Sequence, residues 1–135
     1  MIVIDASAAI EWLLRSRAGL HIEQRIFSSG ERLAAPHLLD VEVLQVVRRL
    51  ASAGKISLIR AGEILDDFTS AIIDRYPHHM LIHRIWALRQ NFSAYDAAYV
   101  ALAEMIGAHL ITCDVRLARA PISQVQIESF CERLE

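Results

Sequence analysis

The sequence is poor in the residues that mark secreted, zinc-binding or strongly basic proteins. Its 135 residues contain two cysteines, three prolines, five glycines and a single lysine. Cys113 and Cys131 match neither a disulfide framework nor a zinc-ligand spacing, so we expect both to be buried thiols. A net charge of −2 and a pI near 6.3 exclude general binding of polyanions by bulk charge.

Long hydrophobic runs are also missing, although 54% of the residues are hydrophobic and the mean hydropathy is +0.31. Charged residues and histidines interrupt every apolar stretch before it reaches the roughly 20 residues of a membrane span. The first residues, MIVIDASAAIEWLL, lack the basic start of a signal peptide and include Asp5. We therefore expect a cytoplasmic protein without membrane contact, whose surplus hydrophobic surface binds a partner.

Short apolar runs alternate with longer helical patterns, and no repeat or linker separates them. The predicted strands are 2–4, 32–35, 80–82, 109–112 and 125–127, and the main predicted helices are 6–14, 21–27, 38–51, 60–74, 83–90 and 94–106. This alternation predicts an α/β fold: a single three-layer α/β/α domain over residues 1–135, with a central parallel sheet of four to five strands. Helix 38–51 also carries Val41 and Leu44 opposite its main apolar stripe, which predicts a dimer or other partner contact.

Four acidic residues occupy comparable places in this pattern. Asp5 directly follows the first strand, and Asp114 follows strand 109–112. Asp96 stands in the first turn of helix 94–106, and Glu42 lies one turn into helix 38–51. Ligands of parallel α/β sheets bind at the carboxyl ends of the strands, so we expect all four acids to converge there.

Each acid has an ordinary structural explanation when it is taken alone. Asp96 forms an S-x-x-D capping pattern with Ser93, and Asp114 fits the first position of a turn or short helix. Asp5 fits a helix cap, and Glu42 a solvated helix flank. These explanations do not account for four acids at one edge.

Four clustered carboxylates need a compensating charge. Two like charges at about 4 Å repel by roughly 4 kcal/mol at an effective dielectric near 20. A divalent cation offsets that repulsion, and oxygen ligands favour Mg²⁺ or Mn²⁺ over zinc. Such a cation activates water and neutralises charge on a phosphodiester, so the pattern predicts hydrolysis of phosphodiester bonds.

The segments VIDASA, PHLLDVEVLQVVRRL, YDAAYVALAE and LITCD resemble, in order and spacing, the motifs of PIN-domain ribonucleases. The similarity is greatest to VapC-type toxins of bacterial toxin–antitoxin pairs. It implies a Mg²⁺- or Mn²⁺-dependent endoribonuclease that cleaves RNA, forms a homodimer and is neutralised by a VapB-like antitoxin. The residues that match the family's catalytic set are Asp5, Glu42, Asp96 and Asp114, with Asp5, Asp96 and Asp114 as metal ligands. We call these four residues the acidic quartet.

Further residues are candidates for supporting roles. By the resemblance, Ser7 and Thr112 match small hydroxyl residues near the site. Arg116 is one of several arginines near the acidic edge that could hold substrate phosphates, with a solvated helix face as the alternative. Gln45 stands three positions after Glu42, where the family often has asparagine, so we expect an altered contact to substrate or water.

Three other functions compete with this interpretation. A receiver-type phosphoacceptor domain needs a lysine after a late strand, and Lys55 is in the wrong region. A D-x-D phosphatase is disfavoured because Ala6 and Ser7 follow Asp5. A degenerate PIN-like module that only binds RNA or protein remains open.

Overall fold

The computed structural model describes residues 1–121 and 124–130, and it contains a five-stranded parallel sheet. The strands are β1 (Ile2–Ile4), β2 (Leu33–Pro36), β3 (Ile73–Tyr76), β4 (His109–Thr112) and β5 (Ile127–Ser129), in the spatial order β3-β2-β1-β4-β5. All four strand pairs are parallel. The predicted α/β class and parallel sheet are therefore confirmed.

Seven α-helices connect these strands in the described part of the chain. They are α1 (Ala6–Leu14), α2 (Arg17–Ser29), α3 (Leu38–Ser52), α4 (Leu58–Ser70), α5 (Ile82–Ala87), α6 (Ala94–Ile106) and α7 (Val115–Arg119), with a 3-10 turn at His79–Leu81 before α5. Parallel strands are joined by right-handed crossovers, so this strand order places α1 to α4 on one face and α5 to α7 on the other. The result is the predicted three-layer arrangement, and none of the described helices is long and apolar enough to cross a membrane.

The central strands are buried on both faces, which explains their continuous apolar sequence. Every residue of β1 and β2 is buried, as are the last three residues of β4. The strand order reverses between β1 and β4, and in parallel sheets a crevice forms at the carboxyl ends of two such strands. Asp5 and Asp114 lie at those two ends.

Two of the sequence predictions are wrong. The predicted helix 60–74 ends at Ser70, and residues Ile73–Tyr76 form the edge strand β3 instead. The short segment IDRY contains two charged residues, so its sequence does not have the apolar pattern of a strand. In the structure both charges are paired: Asp74 with Arg32 at 2.7 Å and Arg75 with Asp40 at 2.8 Å. The predicted strand 80–82 belongs to the 3-10 turn and the start of α5, and only Leu81 of this apolar triplet is buried.

Other predicted boundaries differ by a few residues. Strand 125–127 is shifted to Ile127–Ser129, and the second helix begins at Arg17 rather than at residue 21. Cys113 is half-buried rather than fully buried, and Cys131 lies outside the described residues. The second apolar side of α3 is exposed in the single chain, since Val41 and Leu44 are 66% and 49% accessible. Its burial by a partner stays a prediction.

The start of α2 packs directly against the end of α1 at Gly19. The hydroxyl of Ser16 accepts a hydrogen bond from the Gly19 backbone N–H at 3.0 Å. A Cβ added at Gly19 would lie 1.9 Å from the backbone carbonyl oxygen of Glu11, which is far inside van der Waals contact. Only glycine lets the two helices approach this closely.

Replacing Gly19 by alanine is therefore expected to lower the free energy of unfolding by roughly 2 kcal/mol or more, because α1 and α2 must separate. Chemical denaturation followed by circular dichroism measures this change. Gly62→Ala is the matched control, since Gly62 lies inside α4 with no atom within 4 Å of an added Cβ. It is expected to stabilise the protein by roughly 0.5–1 kcal/mol, and equal effects at the two positions would contradict the close packing at Gly19.

Candidate active site

Asp5 is buried at the carboxyl end of β1, where it also caps α1. Its Oδ1 atom accepts hydrogen bonds from the Ser7 hydroxyl at 2.7 Å and from the Ala8 backbone N–H at 2.9 Å. The Thr112 hydroxyl donates to Oδ2. Asp5 is only 5% exposed, so its charge depends on these donors for stabilisation.

Ser7 and Thr112 connect Asp5 to the end of β4. The Ser7 hydroxyl accepts from the Cys113 backbone N–H at 2.9 Å, and the Thr112 hydroxyl accepts from the Asp114 backbone N–H at 2.9 Å. The two hydroxyl oxygens lie 3.3 Å apart. The network holds the backbone of Asp114 beside Asp5. A role of these hydroxyls in substrate binding or catalysis stays a prediction.

Asp114 caps the short helix α7 and lies close to Arg116. Its Oδ1 atom accepts from the Arg116 backbone N–H at 2.9 Å, and its Oδ2 atom lies 3.7 Å from the Arg116 guanidinium. The Arg116 side chain is 89% exposed. Asp114 can therefore cap α7 and belong to the site at the same time.

Asp96 is half-buried in the first turn of α6, where Ser93 caps the helix. The Asp96 backbone N–H donates to the Ser93 hydroxyl at 3.2 Å. Burial raises the pKa of Asp96, and the Asp114 charge raises it further, while Arg116 and Ser93 oppose the shift. Asp96 is therefore a helix-cap partner and also lies within electrostatic range of Asp114.

Glu42 is held by Tyr99, a residue that the sequence did not single out. The Tyr99 hydroxyl donates to Glu42 Oε1 at 2.6 Å, and the Tyr99 side chain is only 1% exposed. Tyr99 follows Asp96 by three positions on α6, so both side chains lie on the same side of that helix. That spacing, together with a polar tip on an otherwise apolar helix face, is the signal that could have identified Tyr99.

The acids of the quartet destabilise one another's charged forms. Burial raises the pKa of Asp5 to about 6, with the Asp114 charge adding to the shift against the Thr112, Ser7 and Ala8 hydrogen bonds. Burial also raises the pKa of Glu42, and the Asp96 charge adds to it. Desolvation plus repulsion between like charges is the electrostatic pattern of a functional carboxylate site.

The carboxylate oxygens at this edge of the sheet are suitable ligands for a hard divalent cation. Carboxylate oxygens are the ligands that Mg²⁺ and Mn²⁺ prefer, and a cation would relieve the repulsion that raises these pKa values. No group of three or more His, Cys, Asp or Glu residues within residues 1–121 and 124–130 is close enough to form a ready ligand cluster. Asp5, Glu42 and Asp114 accept hydrogen bonds from protein donors instead. Metal binding by Asp5, Asp96 and Asp114 therefore stays a prediction.

Gln45 takes part in none of the hydrogen bonds and charge interactions described above for the other predicted site residues. It is exposed on α3, three positions after Glu42, and in the described part of the chain it makes no hydrogen bond with the quartet. Its predicted contact to substrate or water stays a prediction.

Comparison with known proteins identifies the class of this chain. The PIN domain family matches residues 2–122, so the chain belongs to the PIN-domain family. It is similar to ribonuclease VapC9 of Mycobacterium tuberculosis, with 41% identity over 130 residues that cover 93% of this chain and 98% of the relative. The predicted resemblance to VapC-type PIN proteins is therefore confirmed.

Solved structures support the same fold. VapBC2 from Rickettsia felis, bound to a DNA fragment from its promoter, matches with a TM-score of 0.69 and 14% identity, covering 96% of this chain and 98% of that chain. VapC20 of Mycobacterium tuberculosis, a Sarcin-Ricin loop cleaving toxin, matches with a TM-score of 0.63 and 15% identity, covering 93% and 99%. At this identity the two structures show a shared fold.

Proposed function

We propose that residues 1–135 form a single PIN domain that acts as a metal-dependent endoribonuclease and as the toxin of a toxin–antitoxin pair. The observation that carries the proposal is Asp5, a buried carboxylate whose pKa is raised to about 6, linked through Thr112 to Asp114. The 41% identity to a protein named a ribonuclease supports RNA as the substrate.

Asp5, Asp96 and Asp114 are the residues that would hold Mg²⁺ or Mn²⁺. The bound cation supplies a water of lowered pKa and neutralises charge on the phosphate. Ser7 and Thr112 fix the Asp5 carboxylate in one orientation, because each hydroxyl donates to a different oxygen of it. The ligand geometry is thereby preorganised before substrate binds.

Glu42 is the proposed acceptor of the water proton. Tyr99 donates to Oε1, which leaves Oε2 as the oxygen available to receive that proton. The pKa of Glu42 is raised by burial, so its carboxylate is a better base than an exposed one. Arg116, exposed beside Asp114, would hold a substrate phosphate and position the RNA without selecting its sequence.

A VapB-like antitoxin is the proposed protein partner. The matched Rickettsia felis structure is of VapBC2. A basic segment of an antitoxin would be suited to blocking an acidic site. The exposed side chains of Val41 and Leu44 on α3 are the proposed contact of a homodimer. We expect the protein to act in the cytoplasm.

The proposal is tested by incubating the purified chain with transfer and ribosomal RNA in Mg²⁺, Mn²⁺ or EDTA. Cleavage is expected with either metal and none in EDTA. A chain that cuts no RNA and also releases no heat on calorimetric titration with Mn²⁺ would instead be the degenerate module, which only binds RNA or protein.

Replacing Tyr99 by phenylalanine is expected to lower kcat by roughly 10- to 100-fold, because Glu42 loses the hydroxyl that orients it. The ring still fills the core, so the free energy of unfolding should fall by only about 1 kcal/mol, and KM for RNA should stay within about twofold. Tyr95→Phe is the matched control, since Tyr95 lies on the same helix and is 63% exposed. Equal kcat values for the two variants would contradict the positioning role of Tyr99.

A further inference from the structure

Two cavities lie at different edges of the domain. The larger, of about 610 Å³, is bounded by Leu33 and Ile72 near the amino ends of β2 and β3, and no residue of the acidic quartet lines it. The second, of about 370 Å³, is bounded by Cys113 and Val115, the two neighbours of Asp114. The smaller cavity therefore adjoins the proposed active site.

Ser7 connects this smaller cavity to Asp5. Its hydroxyl donates to Asp5 at 2.7 Å and accepts from the Cys113 backbone N–H at 2.9 Å. Glu11, which also lines the cavity, is four residues after Ser7 on α1 and so lies on the same side of that helix. At a rise of about 1.5 Å per residue, these four residues separate the two positions by about 6 Å along the helix axis. A nucleotide next to a phosphate bound at the quartet could reach the cavity.

The cavity wall combines apolar surface with two charges of opposite sign. Phe130 and Val115 contribute apolar surface, and the volume falls within the roughly 300–1,000 Å³ that small-molecule sites occupy. The half-buried carboxylate of Glu11 and the exposed guanidinium of Arg17 have no hydrogen-bond or ion-pair partner within residues 1–121 and 124–130. Both charges are therefore available to a ligand.

We propose that this cavity, which we call the base pocket, receives the nucleobase of the RNA residue next to the cleaved bond, with guanine preferred. The inference rests on the proposed ribonuclease function. An ionised Glu11 carboxylate only accepts hydrogen bonds, so it favours a base whose edge presents adjacent N–H donors. Guanine offers two, at N1 and N2, whereas uracil places carbonyl oxygens on both sides of its single N–H. Bases extruded from single-stranded RNA commonly stack on aromatic rings, which Phe130 supplies.

Arg17 has a different task in this arrangement. It stands at the exposed rim of the pocket as the first residue of α2, and it is placed to contact the phosphate that follows the bound base. Phosphate contacts position RNA but do not specify its sequence. Glu11 therefore sets base preference, while Arg17 contributes affinity for all sequences.

The first test maps the nucleotides that flank the cleavage sites of the full chain and three variants. Glu11→Gln is expected to lower kcat/KM for guanine-containing sites by roughly 10- to 100-fold, the range of bidentate base contacts, and to leave other sites within about twofold. Arg17→Ala should weaken cleavage of all sequences equally. Glu63→Gln, an exposed position on α4 paired with Arg60 at 3.2 Å, is the matched control. If Glu11→Gln cleaves with the same preference for flanking nucleotides as the wild type, the proposed base pocket is wrong.

The second test needs no catalysis. The full ¹⁵N-labelled chain is titrated with guanosine and uridine 5′-monophosphates, and shifts of the Ala18, Cys113 and Val115 amides are expected with the guanine nucleotide. In the Glu11→Gln variant, guanosine and uridine monophosphates should shift these amides by similar amounts. Selective shifts in a chain that neither cuts RNA nor binds Mn²⁺ would overturn the ribonuclease function but support the pocket as a guanine-binding site. If neither nucleotide shifts these amides, or if Glu11→Gln impairs only antitoxin binding, the pocket does not take RNA bases.

Discussion

Replacing Asp5 by asparagine is expected to lower the rate of RNA cleavage by several orders of magnitude and at the same time to stabilise the metal-free protein. The asparagine keeps a carbonyl oxygen for the Ala8 backbone N–H but removes the charge that would bind the cation. Losing about 4 kcal/mol of transition-state charge stabilisation lowers the rate roughly 10³-fold. A cleavage assay with fluorescently labelled RNA measures that loss.

The stability change follows from the raised pKa of Asp5. Burial raises this pKa to about 6 from an ordinary value of 3.8, so the folded state binds the proton more tightly than the unfolded state. Ionisation of Asp5 therefore destabilises the folded protein progressively as the pH rises from about 4 to 6, and the full cost is present above 6. A difference of about two pKa units corresponds to roughly 3 kcal/mol, of which the substitution should recover 1–2 kcal/mol.

Thermal unfolding in EDTA between pH 4 and 8 tests this prediction. The Asp5→Asn protein should melt above the wild type at pH 7.5, and the difference should vanish near pH 4. Asp67→Asn, an exposed change on α4, should leave the melting temperature unaltered. A variant that is destabilised equally at every pH would show that the Asp5 charge carries no folding cost.

Replacing Thr112 by valine is expected to impair both stability and activity, since this side chain is fully buried and its hydroxyl joins two acids of the quartet. The near-isosteric valine leaves Asp5 Oδ2 without its donor and the Asp114 backbone N–H without its acceptor. Two unsatisfied buried polar groups lower the free energy of unfolding by roughly 2–4 kcal/mol. Activity should fall about 10- to 100-fold, as for other residues that orient metal ligands.

The Thr112→Ser variant distinguishes the contribution of the hydroxyl from that of the methyl group, because serine keeps only the hydroxyl. Serine keeps the donor and the acceptor, so cleavage should stay within about threefold of wild type, although loss of a buried methyl costs about 1 kcal/mol of stability. Denaturant unfolding and steady-state kinetics on both variants provide the comparison. If serine and valine reduce activity equally, packing rather than hydrogen bonding explains the role of Thr112.

The position of the acidic edge could be predicted from sequence because it depends on strand ends. Asp5 and Asp114 directly follow β1 and β4, and parallel strands bring their carboxyl ends to one edge regardless of details elsewhere. Gly107, with a positive φ of 64°, ends α6 at the predicted residue and so fixes the chain entry into β4.

Other features depend on contacts between distant residues and could not be predicted in this way. Strand β3 is stabilised by its pairing with β2 and by ion pairs such as Arg75–Asp40, across 35 positions in sequence. The spacing after Asp96 can mark Tyr99 on its helix, but the hydrogen bond from Tyr99 to Glu42 spans 57 positions, so the sequence does not show which acid Tyr99 contacts. The base pocket likewise combines α1, α2 and the ends of β4 and β5.

The central claim is that the acidic quartet is a metal site that cuts RNA. The measurement that tests it most directly is Mn²⁺ calorimetry and RNA cleavage on wild type, Asp96→Asn and Asp67→Asn protein purified identically. Wild type and Asp67→Asn should bind Mn²⁺ and cut RNA, while Asp96→Asn should bind at least tenfold more weakly and cut at background rate. If Asp96→Asn binds metal and cuts RNA as wild type does, Asp96 is only the helix-cap partner of Ser93 and the account of the site is wrong.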